Sequence, residues 1–120
     1  HVPTDDEWKQ LEMYLGMSQA EADTTGYRGT DEGGKLKEAG TTHWQSPNTG
    51  ATNESGFTAL PGGYRLDGYF YDVGVVAHFW SSTDSRSGEA WYRYLVYINS
   101  QVFRSSHYKH CGFSVRCVRD

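Results

Sequence analysis

The chain has no apolar run approaching the length of a membrane-spanning helix, and it carries only three prolines, two methionines and two cysteines. A helix crossing a bilayer needs about 20 consecutive apolar residues, so direct membrane insertion by this chain's helices is excluded. The two cysteines, Cys111 and Cys117, stand six residues apart. On one strand they are too far apart for a disulfide unless the chain bulges or turns. Cysteine usage therefore indicates no compartment. Positive charge is also scarce. Eleven Lys and Arg face 15 Asp and Glu, a formal net charge of −4, with no basic cluster, which argues against a nucleic-acid partner. No Ser-His-Asp order and no Gly-rich phosphate loop stands out, and the carboxylates show no pairing suited to acid/base work. No cofactor is expected.

What the chain does have is glycine and aromatic rings. At 120 residues it is one domain, residues 1–120, and 14 glycines with a mean hydropathy of −0.71 indicate many loops. Nine Tyr and four Trp bring the aromatics to 15%. Rings in such number either fill a small core or mark a binding surface.

The first third reads as helical. In "TDDEWKQLEMYLG", Thr4 and Glu7 have capping-box spacing, Asp5 and Asp6 suit the positive helix end, and Gly16 stops the helix. Trp8, Leu11 and Leu15 form its apolar stripe, with Met13 and Tyr14 at the margins. Ser18 and Glu21 repeat the cap spacing for a second, shorter helix, and a further turn is expected around Lys35–Glu38. From Thr41 to Ser55 an Asn/Thr/Gly/Ser-rich segment holds a lone Trp44 and is expected to be a long ordered loop pinned by that ring. "GFTALPGGYR" reads as a short strand entering a Gly-Gly turn, and "GYFYDVGVVAHFWSST" as the most strand-like piece, followed by a turn at "STDSRSGEA". Strands at 90–98, 101–105 and 112–118 complete an α+β pattern. The chain opens at His1, directly on a helix cap, which is the expectation for a domain cut from a longer chain.

The stretch "AWYRYLVYINSQVFRSSHYKHCGFSVRC", residues 90–117, breaks the usual rule. Trp91, Arg93, Leu95 and Tyr97 fall on one face of a strand and Tyr92, Tyr94, Val96 and Ile98 on the other, so both faces are apolar or aromatic. By pattern alone, a central strand buried on both sides is as good an explanation as a displayed surface.

"HVPTDDEW", "LEMYLGMS", "GGKLKEAG", "GFTALPGGYR", "FWSST", "AWYR" and "GFSVRCV" succeed one another as in the Fibrobacter succinogenes major paralogous domain, found in surface or secreted proteins of gut Bacteroidetes. The resemblance covers nearly the whole chain. It implies a C-type-lectin-like fold related to formylglycine-generating enzymes, with two N-terminal helices, a small twisted antiparallel sheet and long loops. Residues 90–117 also resemble the variable region of a diversity-generating retroelement protein, in which Asn codons are randomised to Tyr, His, Ser, Phe, Val, Ile, Cys, Asp or Thr. Tyr92, Tyr94, Val96, Ile98, Asn99, Phe103, Ser105, Ser106, His107, Tyr108, His110 and Cys111 all fall in the reachable set. Trp91, Arg93, Leu95, Gln101, Arg104, Lys109 and Gly112 would be the fixed frame. The resemblance thus implies a non-catalytic module binding a protein or glycan ligand, on a cell-surface, secreted or phage-borne adhesin. The twelve variable positions would be its ligand surface. Tyr92, Tyr94, Val96 and Ile98 would point into water, with Phe113, Val115 and Trp80 as scaffold.

Three rival expectations attach to the same residues. His107, His110 and Cys111 have nitrogen and sulfur ligands suited to zinc but lack a fourth nearby, so no metal site is expected. Cys111 and Cys117 resemble the redox pair of formylglycine-generating enzymes; the expectation preferred here is a buried structural Cys117 and an incidental Cys111. A structural spacer domain without any ligand is the third. The carboxylate-bearing tripeptides of calcium-dependent lectins are missing, so no lectin-type calcium site is expected.

Overall fold

The computed structural model describes residues 1–120. The local signals of the first third are realised. Helix α1, Asp5–Tyr14, carries the full capping box: Thr4 accepts the Glu7 N–H, and the Glu7 carboxylate reaches back to the Thr4 N–H. Helix α2, Gln19–Asp23, repeats the device with Ser18 and Glu21. A three-residue strand β1, Gly26–Arg28, follows, and then helix α3, Glu32–Leu36, slightly earlier than the Lys35–Glu38 expectation. The later strands are β2 (Tyr64–Leu66), β3 (Tyr69–Tyr71), β4 (Val76–Arg86), β5 (Glu89–Val96) and β6 (Asn99–Tyr108). The result is α+β.

A four-stranded antiparallel sheet runs in the order β1-β6-β5-β4, with β2 and β3 forming a separate hairpin. Asp67 and Gly68 close that hairpin with positive φ of 50° and 85°, the conformation that makes Asp-Gly a preferred two-residue turn. Two strand expectations fail. "GFTALPGGYR" contributes only isolated bridges at Ala59 and Gly63 before β2 begins at Tyr64. Residues 112–118 form no strand; they follow the rim and touch it at single points, Gly112 with Arg65 and Ser114 with Phe79. That segment serves as a cover, with Ser114 donating to the His78 carbonyl at 2.9 Å. The segment read as a turn at "STDSRSGEA" is largely the end of β4, which reaches Arg86.

One sheet face packs on the helices. Ala77, Phe79, Leu95 and Val102 meet Trp8, Leu15, Met17, Leu36 and Trp44 in the core, with Leu11, Phe57 and Tyr97 at its edge. The long loop is pinned as its tryptophan implied: Trp44 is 1% exposed and donates from Nε1 to the Ala59 carbonyl at 3.0 Å. Between α1 and the sheet lies a buried ionic cluster. Arg93 bonds Glu12 at 2.8 Å and Asp5 at 2.7 Å, Arg104 bonds Asp5 at 2.7 Å, and Arg28 bonds Glu12 at 2.6 Å. Lys37, also fully buried, donates to the carbonyls of Thr49, Val96 and Asn99 and so ties the loop to the β5–β6 turn; burial lowers its ammonium to about 8.

Candidate functional site

The other sheet face carries aromatic rings. Alternation along each strand sends one set of side chains to the core and the next to the opposite side. On β5, Arg93 and Leu95 go to the core while Tyr92, Tyr94 and Val96 go to the far face. The ladder then aligns a row across all four strands: Tyr27 opposite Phe103, Phe103 opposite Tyr94, and Tyr94 opposite His78. Ring centroids in this row are 5.1, 4.4 and 5.1 Å apart. A second row places Ser105 beside Tyr92 and Tyr92 beside Trp80. Cross-strand aromatic neighbours of this kind stabilise the sheet and fix its register.

Two rings from outside the sheet roof part of this face. Phe113, on the covering segment, lies 4.2 Å from Trp80, 4.7 Å from His78 and 5.0 Å from Tyr92. Tyr64, on β2, lies 4.9 Å from His78. Between roof and floor is a cleft of about 340 Å³ whose lining includes Tyr64, His78, Tyr92, Tyr94, Cys111 and Phe113, with Asp72 at its margin. That volume lies at the small end of ordinary ligand sites, which run from about 300 Å³ upward.

Burial overturns part of the expectation for alternate residues of β5. Tyr92 and Val96 are buried, at 7% and 8% exposure, and Tyr94 is half-buried; only Ile98, in the turn, stands in water at 58%. Phe113 covers Tyr92, and Val96 lines the cleft together with Tyr64 and Leu66 of the β2–β3 hairpin. The two cysteines are likewise reversed: Cys111 is buried and Cys117 exposed. Val115, expected as scaffold, is exposed. The site residues do not form one patch. Phe103, Ser105 and His107 share the aromatic face, whereas Ser106 faces the other way and comes within 3.5 Å of Glu89. Asn99 opens β6 just after the turn, its carbonyl bound by Lys37. Tyr108 stacks on His110 at the exposed end of β6.

His78, Tyr92 and Tyr94 in the cleft are held uncharged at neutral pH, and the Asp72 carboxylate lines it as well. Burial, with a smaller contribution from His107, lowers His78 to about 4, and its Nδ1 has no hydrogen-bond partner. Burial pushes the Tyr92 phenol up to about 12 and raises Tyr94 further, the latter also through its bond to Tyr27. Cys111 Sγ lies 3.2 Å from His107 Nδ1, which already accepts the Tyr108 N–H. Burial, then the charge of Asp67, raises the thiol, the reverse of what an activated thiolate needs. Cys117 lines a separate groove beside α1 with Trp8 and Phe57, so the two thiols are not brought together as a redox pair. His110 does not converge with His107 and Cys111, and no group of three or more His, Cys, Asp or Glu is placed to hold a metal.

Tyr27, Tyr64, Asp72 and His78 were missed by sequence reasoning, and Trp80 and Phe113 were assigned to scaffold alone. The period of "VAHFW" places His78 and Trp80 on one face of β4. Nothing local connects Tyr64 or Phe113 to that face.

Taken together, this is a small α+β domain whose sheet buries one face on helices and lines a cleft with the other. The family model of the Fibrobacter succinogenes major domain matches residues 1–119, and the chain belongs to that family. No curated protein and no solved structure matches it.

Proposed function

We propose that this domain is a non-catalytic binding module of a cell-surface, secreted or phage-borne protein, built on a C-type-lectin-like frame, and that its ligand, a protein or a glycan, seats on the aromatic face of the sheet. One observation carries the reading. A row of rings crosses the whole sheet on the side away from the helices and borders an open cleft. Rigid strands present these rings with little conformational entropy to lose on binding, the property that favours Tyr in antibody loops. A spacer domain gains nothing from such a display.

Diversification by a retroelement fits a narrower set than twelve positions. Ile98, Tyr108 and His110 are exposed, and Tyr94, Asn99, Phe103, Ser105, Ser106 and His107 are partly so. Tyr92, Val96 and Cys111 are sealed, and randomising them would disturb packing. In the genome, a near-copy of the segment coding for residues 90–117, differing at adenines and lying beside a reverse transcriptase gene, is the expected signature. Its absence overturns the diversification.

Binding is tested with Phe103→Ser, which removes a half-buried ring from the middle of the row. Screened on glycan and protein arrays, the wild-type domain is expected to retain ligands that the variant loses, with circular dichroism showing both folded at the assay temperature. Equal array profiles would refute the site.

A further inference from the structure

The β2–β3 hairpin has a second face. Tyr64 and Leu66 line the aromatic cleft, so Arg65 between them and its cross-strand partner Phe70 point the other way. On that side lies a pocket of about 320 Å³ whose lining includes Arg65, Phe70, Gly62, Gly112 and Ser114. Arg65 is held in place from both ends. Its backbone exchanges two hydrogen bonds with Gly112, at 2.8 and 2.7 Å, and a Cβ on Gly112 would press to 3.0 Å from the Arg65 Cβ. Its guanidinium carbon lies 5.3 Å from the centroid of the Phe70 ring, within reach of a cation–π contact.

What this guanidinium lacks is an acceptor. Of the eleven Lys and Arg, nine bind a carboxylate or a carbonyl oxygen, and Arg65 and Arg119 bind neither. Of those two, Arg65 lines the pocket, and no Asp or Glu lines it. The carboxylates on either side of β3 act on the opposite face: Asp72 lines the cleft, and Asp67 raises the thiol of Cys111, which lines it too. A chain of net charge −4 thus keeps one positive group in a pocket with nothing of its own to balance it. Ser114 brings a hydroxyl that has no partner in the protein, 3.4 Å from where a Cβ on Gly62 would sit. Phe70 remains 69% exposed.

We infer that this pocket binds the carboxylate of an acidic sugar residue, with the Arg65 guanidinium, held on Phe70, as its receptor. The inference goes beyond the ligand face proposed above and does not rest on it. A guanidinium takes a carboxylate through two parallel N–H donors, and the contact with Phe70 restrains the fork before the ligand arrives. One Arg balances one negative charge. A phosphate monoester is nearly doubly charged at neutral pH and calls for a second cation, but no other Lys or Arg lines the pocket. The volume stands at the small end of ligand sites and suits one sugar ring. Phe70 has apolar surface left for that ring, and Ser114 a hydroxyl for its hydroxyls. An acidic side chain of a peptide would occupy the fork and leave the rest of the pocket empty.

The test titrates methyl β-D-glucuronide, its uncharged counterpart methyl β-D-glucoside, and an acetylated and amidated Ala-Glu-Ala peptide into the intact domain at constant ionic strength. Binding is followed by the Arg65 Nε–H and Phe70 ring resonances. The glucuronide is expected to shift both at millimolar concentration, and the glucoside to bind about tenfold more weakly for want of the charged hydrogen bonds. Arg65→Gln, at an exposed position, is expected to reduce the glucuronide to the affinity of the glucoside, read on Phe70, while unmoved Trp8 and Tyr92 resonances show the fold intact. Phe103→Ser is expected to leave glucuronide binding unchanged, so this pocket and the aromatic face stand or fall separately. Equal binding of the two sugars, no shift with the glucuronide, or binding that survives Arg65→Gln overturns the site. Peptide binding as tight as that of the glucuronide overturns the assignment to a sugar.

Discussion

Arg93 is fully buried on the core side of β5 and meets two carboxylates at once, Glu12 through Nε and Asp5 through a terminal nitrogen. Its planar fork reaches both without leaving a donor wasted, and its partners are shared with Arg28 and Arg104. Arg93→Ala leaves Glu12 paired with Arg28 and Asp5 with Arg104, but it removes a charged hydrogen bond from each carboxylate, a loss of about 1.5–3 kcal/mol apiece. Arg93→Lys should recover little of it, because one ammonium cannot reproduce the fork. Urea unfolding of the two variants is the check; a lysine variant as stable as wild type would show that charge alone, rather than geometry, holds the cluster.

At the scale of elements, α3 is the tightest joint. Gly33 and Gly34 are both buried, and a Cβ on Gly33 would collide with the carbonyl oxygens of Ser100 and Gln101 on β6. One on Gly34 would strike the carbonyl of Gly50. Only glycine lets the helix backbone approach strand and loop this closely. Gly34→Ala should therefore cost about 3 kcal/mol, despite alanine's better helix propensity. A denaturation midpoint equal to wild type would mean that the 48–50 loop can withdraw. That loop also carries the Thr49 carbonyl bound by Lys37, so its displacement would reach the β5–β6 turn.

For the whole molecule, acid stability sums groups from both sheet faces. Burial raises the Asp5 carboxyl, but the hydrogen bonds and charges of Arg104 and Arg93 outweigh it and hold it at about 2, against 3.8 ordinarily. Its contribution is complete above about pH 4 and is lost as pH falls toward 2. His78 is lowered from 6.5 to about 4, so the unfolded chain takes up this proton first and stability falls as pH drops through that window. The loss is of order 3 kcal/mol. His1, raised by Glu7 and Asp120, has the opposite sign: its contribution is present below 6.5 and fades as pH rises through its raised value. It is exposed, so its effect is small. His78→Phe is expected to flatten stability between about pH 6.5 and 4 and keep the fall below 4. An unchanged slope in the upper window would assign it to another group.

Both capping boxes, the α1 stripe and the pinning of Trp44 were legible in the sequence, because each depends on residues close along the chain or on one side chain too large to leave in water. The two side-chain sets of β5 were legible from its period of two, whereas the inward placement of Arg93 and Leu95 came from the family resemblance. The sequence left open whether Tyr92 and Val96 meet water, since both faces of β5 look alike until their covers are known. Those covers are Phe113, 21 residues beyond Tyr92, and the β2–β3 hairpin, 28 residues before it. Tertiary structure alone decided that the second face is a roofed cleft rather than an open patch, because the roof is made by long-range contacts that leave no local pattern.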